Sequence, residues 1–266
     1  MLAFFSNTLA SGQIRAEQIA RYLDCPLDPI QYDGYTCVFV KQSYSPRWPD
    51  GSYLDIVDAG NLIPTIKDKP VRLIVNNRLG AQYLRKTTGK EVFCIPQHHC
   101  NFYNYIRPDR EVRVVAFIGH HNVFQIHRIR FRRALLSLGL EFREMQFHRY
   151  SWPRRDKIVE FYQDTDVQVY FPIDNNFPTY NLLKDSLRIV NGGSFRIPTI
   201  GRPRHYDEVE FGGCFIPAYS AEEVVSACDK LRKDKFLYRD IADKAYEKSK
   251  EYHISKIAPM YLELDN

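Results

Sequence analysis

Two cations and an amide, spaced for one helical face, mark the stretch PTYNLLKDSLRIVNGGSFRIPTI at residues 178–200. Lys184, Arg188 and Asn191 recur at i, i+4, i+7, and Leu183, Leu187 and Val190 do the same one position earlier. The spacing predicts a helix over Leu182–Asn191 whose apolar stripe is buried and whose cationic stripe lies beside it. Asn181 is placed to cap its start, Gly192 to stop it, and Pro198 lies beyond. Two fixed cations and an amide beside a glycine turn suit a phosphate group, and Arg holds two oxygens at once. The plainer reading is the solvated side of an amphipathic helix, which composition by itself favours.

The bulk numbers narrow the class. At 266 residues, with 44% hydrophobic and 26% charged residues, the chain has the make-up of a water-soluble globular protein of one large or two small domains. No apolar run reaches the length of a membrane span, and the opening MLAFF lacks the basic leader of a signal peptide. Six cysteines without a C-x-x-C pair give neither a zinc pattern nor a disulfide framework, so reduced thiols in a cytoplasmic protein are expected. Charge is uneven. Residues 107–157 hold twelve Lys or Arg against five Asp or Glu, mixed with aromatics in HRIRFRRALL and FHRYSWPRRDK. Such a patch suits an anionic partner, whether nucleotide, nucleic acid or lipid headgroup, or else is an ordinary basic helix face.

Those residues must be carried by an α/β framework. Ten short apolar runs read as strands, among them Leu2–Ser6, Leu54–Val57, Arg113–Ile118 and Gly213–Ile216. They alternate with helical periods at Gly12–Leu23, Leu79–Thr87, Val123–Leu138, Arg155–Tyr162, Ala221–Arg232 and a long tail from Leu237, which argues for mostly parallel sheets. The proline-flanked, aperiodic segment at residues 96–111 is the expected boundary. It leaves an N-terminal domain at 1–105 and a C-terminal domain at 106–266, each opening with strand, loop and helix. Two Rossmann-like domains facing across a cleft are therefore expected, with ligands at the carboxyl ends of strands, near Ser6–Ser11 and Gly119–Asn122.

Neither G-x-G-x-x-G nor G-x-x-x-x-G-K-[ST] is present, which argues against a typical dehydrogenase or P-loop ATPase. The combination present instead resembles the GT-B glycosyltransferases, as a short, family 1/4-like member. Ser11–Leu23 looks like the N-terminal loop and helix of that family. Val38–Lys41 and Asp55–Gly60 are similar to paired strand ends of its acceptor domain, and Ile95–His99 to its interdomain passage. Lys184–Ile200, followed by Tyr206 and Glu208, resembles its donor-binding helix and the acidic helix after it. The final helix looks like one that returns to the N-terminal domain. The paired glutamates of many retaining members are missing.

The resemblance implies transfer of a hexose or pentose from a nucleotide-diphosphate sugar, UDP-linked, with no other cofactor. The leaving diphosphate gains charge, and without a metal, fixed cations must meet it. Lys184, Arg188 and Asn191 take that role, with Gly119, His120 and Glu208 completing the donor side. No metal ligands are assigned. An inverting enzyme needs a general base; Asp58, at the end of the LDIV strand, is the first choice, with His99 and Asp55 behind it. Ser11 and Gly12 line the acceptor side, their helix-start amides facing the donor phosphate. Trp48, in the aromatic loop of residues 41–53, could support a base pulled out of a duplex. The acceptor is a polymer, with a modified DNA base slightly preferred to a glycan. A non-catalytic nucleic-acid-binding module and a sugar-nucleotide epimerase of the same architecture stand as alternatives.

Overall fold

Strand runs that are apolar on every residue belong in parallel sheets covered on both faces. LAFF, at the start of the chain, is buried throughout. The computed structural model describes residues 1–7, 9–42, 48–120, 127–147, 155–171 and 178–265. In chain order come β1 (Leu2–Phe5), α1 (Ala10–Gly12), a π-helical stretch (Gln13–Glu17), α2 (Gln18–Leu23), β2 (Thr36–Val40) and β3 (Tyr53–Val57). Next are α3 (Ile63–Ile66), β4 (Arg72–Val75), α4 (Arg78–Thr88), β5 (Val92–Cys94), β6 (Val114–His120), α5 (Arg128–Ser137) and β7 (Glu141–Phe147). They are followed by α6 (Arg155–Gln163), β8 (Val167–Tyr170), α7 (Pro178–Leu183), α8 (Leu187–Ser194), β9 (Thr199–Gly201), α9 (His205–Phe211) and β10 (Ile216–Pro217). Last come α10 (Ala221–Lys233), α11 (Lys235–Ser249), α12 (Ile254–Ile257) and α13 (Pro259–Leu262).

Among the described residues the strands form two five-stranded sheets, ordered β1-β2-β3-β4-β5 and β10-β9-β8-β6-β7, with every pairing parallel. The chain divides into two compact units. One holds Met1–His98, Asn175–Asp185 and Ile254–Asn266, the other His99–Asp174 and Ser186–His253. The first change of unit thus falls inside the aperiodic segment at residues 96–111, and Asn175–Asp185 belongs with the N-terminal unit.

In the N-terminal unit the two sheet faces differ. Leu54 and Ile56 of β3 join an apolar cluster with Leu73, Val75, Leu84 and Leu183. Alternation sends Tyr53 and Asp55 to the opposite face. There Asp55 is fully buried, 2.6 Å from Arg15 Nε, and accepts a hydrogen bond from the Tyr261 hydroxyl at 3.1 Å. Arg15 Nη2 also donates to the Ile95 carbonyl at 2.9 Å. Burial pushes the Asp55 carboxyl up from its ordinary value, against the pull of Arg15. The Tyr53 hydroxyl donates to the Leu264 carbonyl at 2.8 Å, fastening the last segment to the same face.

The C-terminal unit is built round Val115, Phe117, Phe131, Leu135, Val167 and Val224. Asp166 closes the amino end of its sheet. It accepts from Arg107 Nε at 2.9 Å, Arg110 Nε at 2.7 Å and the amides of Arg113 and Val114, both at 2.8 Å. Part of the basic stretch is therefore internal wiring.

Two expectations are corrected. The run Gly213–Ile216 is not a strand over its length. Gly213 sits at φ +82° and the Cys214 amide donates to the Phe211 carbonyl, so a turn precedes the short β10. The helix expected over Leu182–Asn191 is two helices, broken at Lys184–Ser186. The Asn77 side-chain amide donates to the carbonyls of Leu182 and Lys184, at 3.0 and 3.3 Å, two acceptors that a continuous helix would need.

The Arg15–Asp55 pair generates a prediction. Asp55→Asn leaves a buried guanidinium without its counter-charge, and urea denaturation should show a loss of roughly 3–5 kcal/mol. A loss under about 1 kcal/mol would mean that the pair is effectively solvated.

Candidate functional site

In an open parallel sheet the binding position is where neighbouring strands send their connections in opposite directions. β6 is such a strand. It pairs with β7 on one side and β8 on the other, so the carboxyl ends of β6 and β8 mark the switch point. Arg188, from the first turn of α8, lies there. Its Nε donates to the Ile118 carbonyl at 3.2 Å, and its guanidinium lies 5.4 Å from the Tyr170 ring centre. Gly119 makes the room: a β-carbon at that position would stand 2.9 Å from Arg188 Nη2. His120 is the last residue of β6.

Tyr170 is held in turn. Its hydroxyl donates to Asp207 at 3.2 Å, and burial pushes that hydroxyl up from its ordinary value, so it stays a donor. Asp207 is fully buried and also accepts from the Ser186 hydroxyl and from the Arg204 amide at 2.8 Å. One carboxylate thus ties the starts of α8 and α9 to the end of β8. Arg204 brings a second guanidinium to the Tyr170 ring, 5.3 Å from its centre.

A separate cluster lies at the strand ends of the N-terminal unit. Asp58, just past β3, is 2.5 Å from Lys41 Nζ through one carboxylate oxygen and pairs with Lys184 through the other. Both lysines are about a quarter exposed, while Asp58 is buried. Burial acts to raise the Asp58 carboxyl, but Lys184 and Lys41 outweigh it and hold it well below the usual carboxylate range. The backbone is strained on both sides of the pair. Lys41 has φ +46° and Val57, a β-branched residue, has φ +53° beside a bulge in the β3–β4 register. Conformations of this kind cost about 1–3 kcal/mol each and gather at functional sites.

The expected site residues separate as follows. Lys184 and Arg188 do not share a helical face, because the helix breaks between them; Lys184 goes to Asp58 and Arg188 to the end of β6. Asn191 is buried and its side-chain oxygen accepts from the Cys100 amide at 2.9 Å, a packing role. Glu208 is exposed in α9 and accepts from the Tyr219 hydroxyl at 3.4 Å. His99 is buried, its Nδ1 accepting from the Asn101 amide at 3.1 Å, so that nitrogen is already committed. The Gly12 amide donates to the Leu9 carbonyl at 3.0 Å instead of facing outward. A β-carbon there would stand 2.2 Å from the Asn7 carbonyl oxygen, so glycine serves close packing. Ser11 is buried, and its hydroxyl has no hydrogen-bond partner among the described residues. Trp48 is half-buried and packs against the apolar cluster of the N-terminal unit. His121, Asn122 and Phe124, and residues 43–47 of the aromatic loop, lie outside the described residues.

Sequence reasoning missed Tyr170, Arg204 and Asp207, and placed Lys41 only at a strand end of the acceptor domain, not beside Asp58. No local signal marked the three missed residues: Asp207 accepts from the Arg204 amide at the start of α9, but an arginine cannot accept the reciprocal bond of a capping box.

Solved structures resemble this architecture. A glycosyltransferase from Rickettsia africae ESF-5 matches with a TM-score of 0.62 at 9% identity, over 99% of this chain and 97% of that one. The chain has the GT-B glycosyltransferase fold. Anabaena HepE in complex with UDP shares it, with a TM-score of 0.55 at 12% identity, over 97% of this chain and 84% of HepE. TarM matches with a TM-score of 0.56 at 13% identity over 86% of this chain. The match takes in 55% of TarM, so the chain spans about half of that protein's length. No family model and no curated protein matches the chain. Within this GT-B fold, Arg188 occupies the switch point of the C-terminal sheet and the Asp58 cluster the strand ends of the N-terminal one.

Two predictions follow from this geometry. Gly119→Ala should push the Arg188 guanidinium off the Ile118 carbonyl. Urea denaturation is expected to show a loss of roughly 1–3 kcal/mol from overpacking; unchanged stability would contradict the close approach of Gly119 to Arg188. The folded-state pKa of Asp58 lies below its unfolded value, so the pair's contribution is fully present above the ordinary carboxylate range and is lost as pH falls from that range through the lowered folded value. The stability difference between wild type and Asp58→Asn should therefore hold from about pH 7 to 5 and shrink below about pH 4. A difference that is flat down to about pH 3 would contradict the ion pairing.

Proposed function

We propose that the chain transfers a sugar from a nucleoside-diphosphate sugar to an acceptor hydroxyl, with the donor held by the C-terminal unit. The observation that carries this reading is Arg188, anchored on the Ile118 carbonyl at the switch point of a parallel sheet, with a glycine at its side. Cleavage of the anomeric C–O bond leaves a diphosphate whose charge grows through the transition state. A guanidinium already fixed at that place stabilises the charge without reorganising. Arg204, across the Tyr170 ring, adds to the local field. The reading makes these arginines, and no metal or further cofactor, responsible for the leaving charge. Glu208, exposed in the first turn of α9, is proposed to accept from donor hydroxyls. UDP is the nucleotide of choice for a test because HepE and the pneumococcal O-GlcNAc transferase GtfA were both solved with it.

Asp58 is proposed for the acceptor side. Its two lysines keep it ionised, so it can accept a hydrogen bond from an acceptor hydroxyl. The same lysines make it a weak proton acceptor, so it takes the proton only when one of them releases it. A glycan hydroxyl is favoured over a DNA base. Arg107 and Arg110 are paired with Asp166, and Arg128 and Arg132 with Glu144, so these four arginines are engaged by carboxylates of the fold. S. aureus TarM was solved with UDP and alpha-GlcNAc-glycerol.

Arg188→Ala tests the reading. Wild type should gain thermal stability from millimolar UDP through binding linkage, and the variant should bind UDP roughly 10–100-fold more weakly. UDP binding equal to wild type in Arg188→Ala would sink the donor assignment.

A further inference from the structure

The outward face of α5 is not what a solvated helix face should be. Phe131 and Leu135 point into the core, and Arg128 and Arg132 reach Glu144, at 3.1 and 2.6 Å. Opposite the core, where polar residues are expected, stand Ile129 and Leu136, 60% and 71% exposed. They are seven residues apart and so lie along one line of the helix, with Arg132 and Arg133 between them at i+3 and i+4. Arg130 and Arg133 are exposed and have no carboxylate partner among the described residues. The face is thus two aliphatic side chains framed by guanidinium groups, two of which have no carboxylate partner among the described residues.

We propose that this face of α5 docks on an anionic lipid surface, bringing the protein to a membrane without crossing it. Among the described residues no helix is long and apolar enough to span a bilayer. The interface of an anionic bilayer offers phosphate oxygens to the arginines and a partly apolar layer to Ile129 and Leu136, and the helix lies flat to use both. Arginine suits this position because its stem packs along apolar groups while its head stays with phosphate. A polynucleotide would satisfy the charge but leave Ile129 and Leu136 without a partner, so the aliphatic pair decides for lipid. The inference is independent of the sugar-transfer reading, since it concerns a different face and needs no donor.

Co-sedimentation of the full chain with vesicles tests it at physiological salt. Vesicles of half phosphatidylglycerol and half phosphatidylcholine should pellet the protein, and vesicles of phosphatidylcholine alone should not. Arg130→Gln/Arg133→Gln should lower partitioning roughly 30-fold, and Ile129→Ser/Leu136→Ser roughly tenfold or more. All four residues are exposed, and an unchanged Tm confirms that each variant is folded. Failure of wild type to bind anionic vesicles overturns the proposal. So does an aliphatic variant that pellets like wild type, or a DNA duplex that is bound as tightly as the vesicles with loss only in the arginine variant.

Discussion

Three residues in the middle of the chain, Lys184, Asp185 and Ser186, refuse to be helical, and the arrangement of both candidate sites follows from that. The Asn77 amide takes the carbonyls of Leu182 and Lys184, and Ser186 turns its hydroxyl to Asp207. Lys184 is then released to Asp58 in the N-terminal unit, while Arg188 begins a new helix in the C-terminal unit. A continuous helix would have carried both cations on one stripe. Hydrogen bonds from elsewhere in the fold outcompete the local ladder because a buried carbonyl must be satisfied, and either partner will serve.

Buried charge is the second organising device. Asp55, Asp166 and Asp207 are all buried in sheets or at helix starts, and each is met by several donors. Pairs of this kind add little net stability, since desolvation offsets most of the attraction, but breaking one is costly. They therefore specify which segments come together. Arg15 and Tyr261, nearly 250 residues apart, meet on one carboxylate. Asp207 fixes Tyr170, and through it the ring against which Arg188 lies.

The two candidate sites are chemically different. Arg188 rests on the Ile118 carbonyl and the Tyr170 ring, and in the sugar-transfer proposal it meets the leaving diphosphate. Lys41 and Lys184 share Asp58, and that carboxylate has lost basicity to them. The strained backbone at Lys41 and Val57 shows what the fold tolerates to keep this cluster in place.

Much of the framework was legible in the sequence. Strands such as LAFF, TCVFV and VVAFIGH announced themselves because parallel sheets bury both faces and leave long apolar runs. Gly119 and Arg188 were visible as candidates, since glycine after a strand and arginine near a glycine turn are local signals. The sequence could not show that Asn191 and His99 would turn inward to backbone amides, or that Asp58 would be held between two lysines. It could not show the break at Lys184–Ser186 either. Local periodicity determines which segments become strands and helices. The partners of a carbonyl, an amide or a carboxylate are drawn from residues tens or hundreds of positions away, and only the folded chain decides which of them arrives.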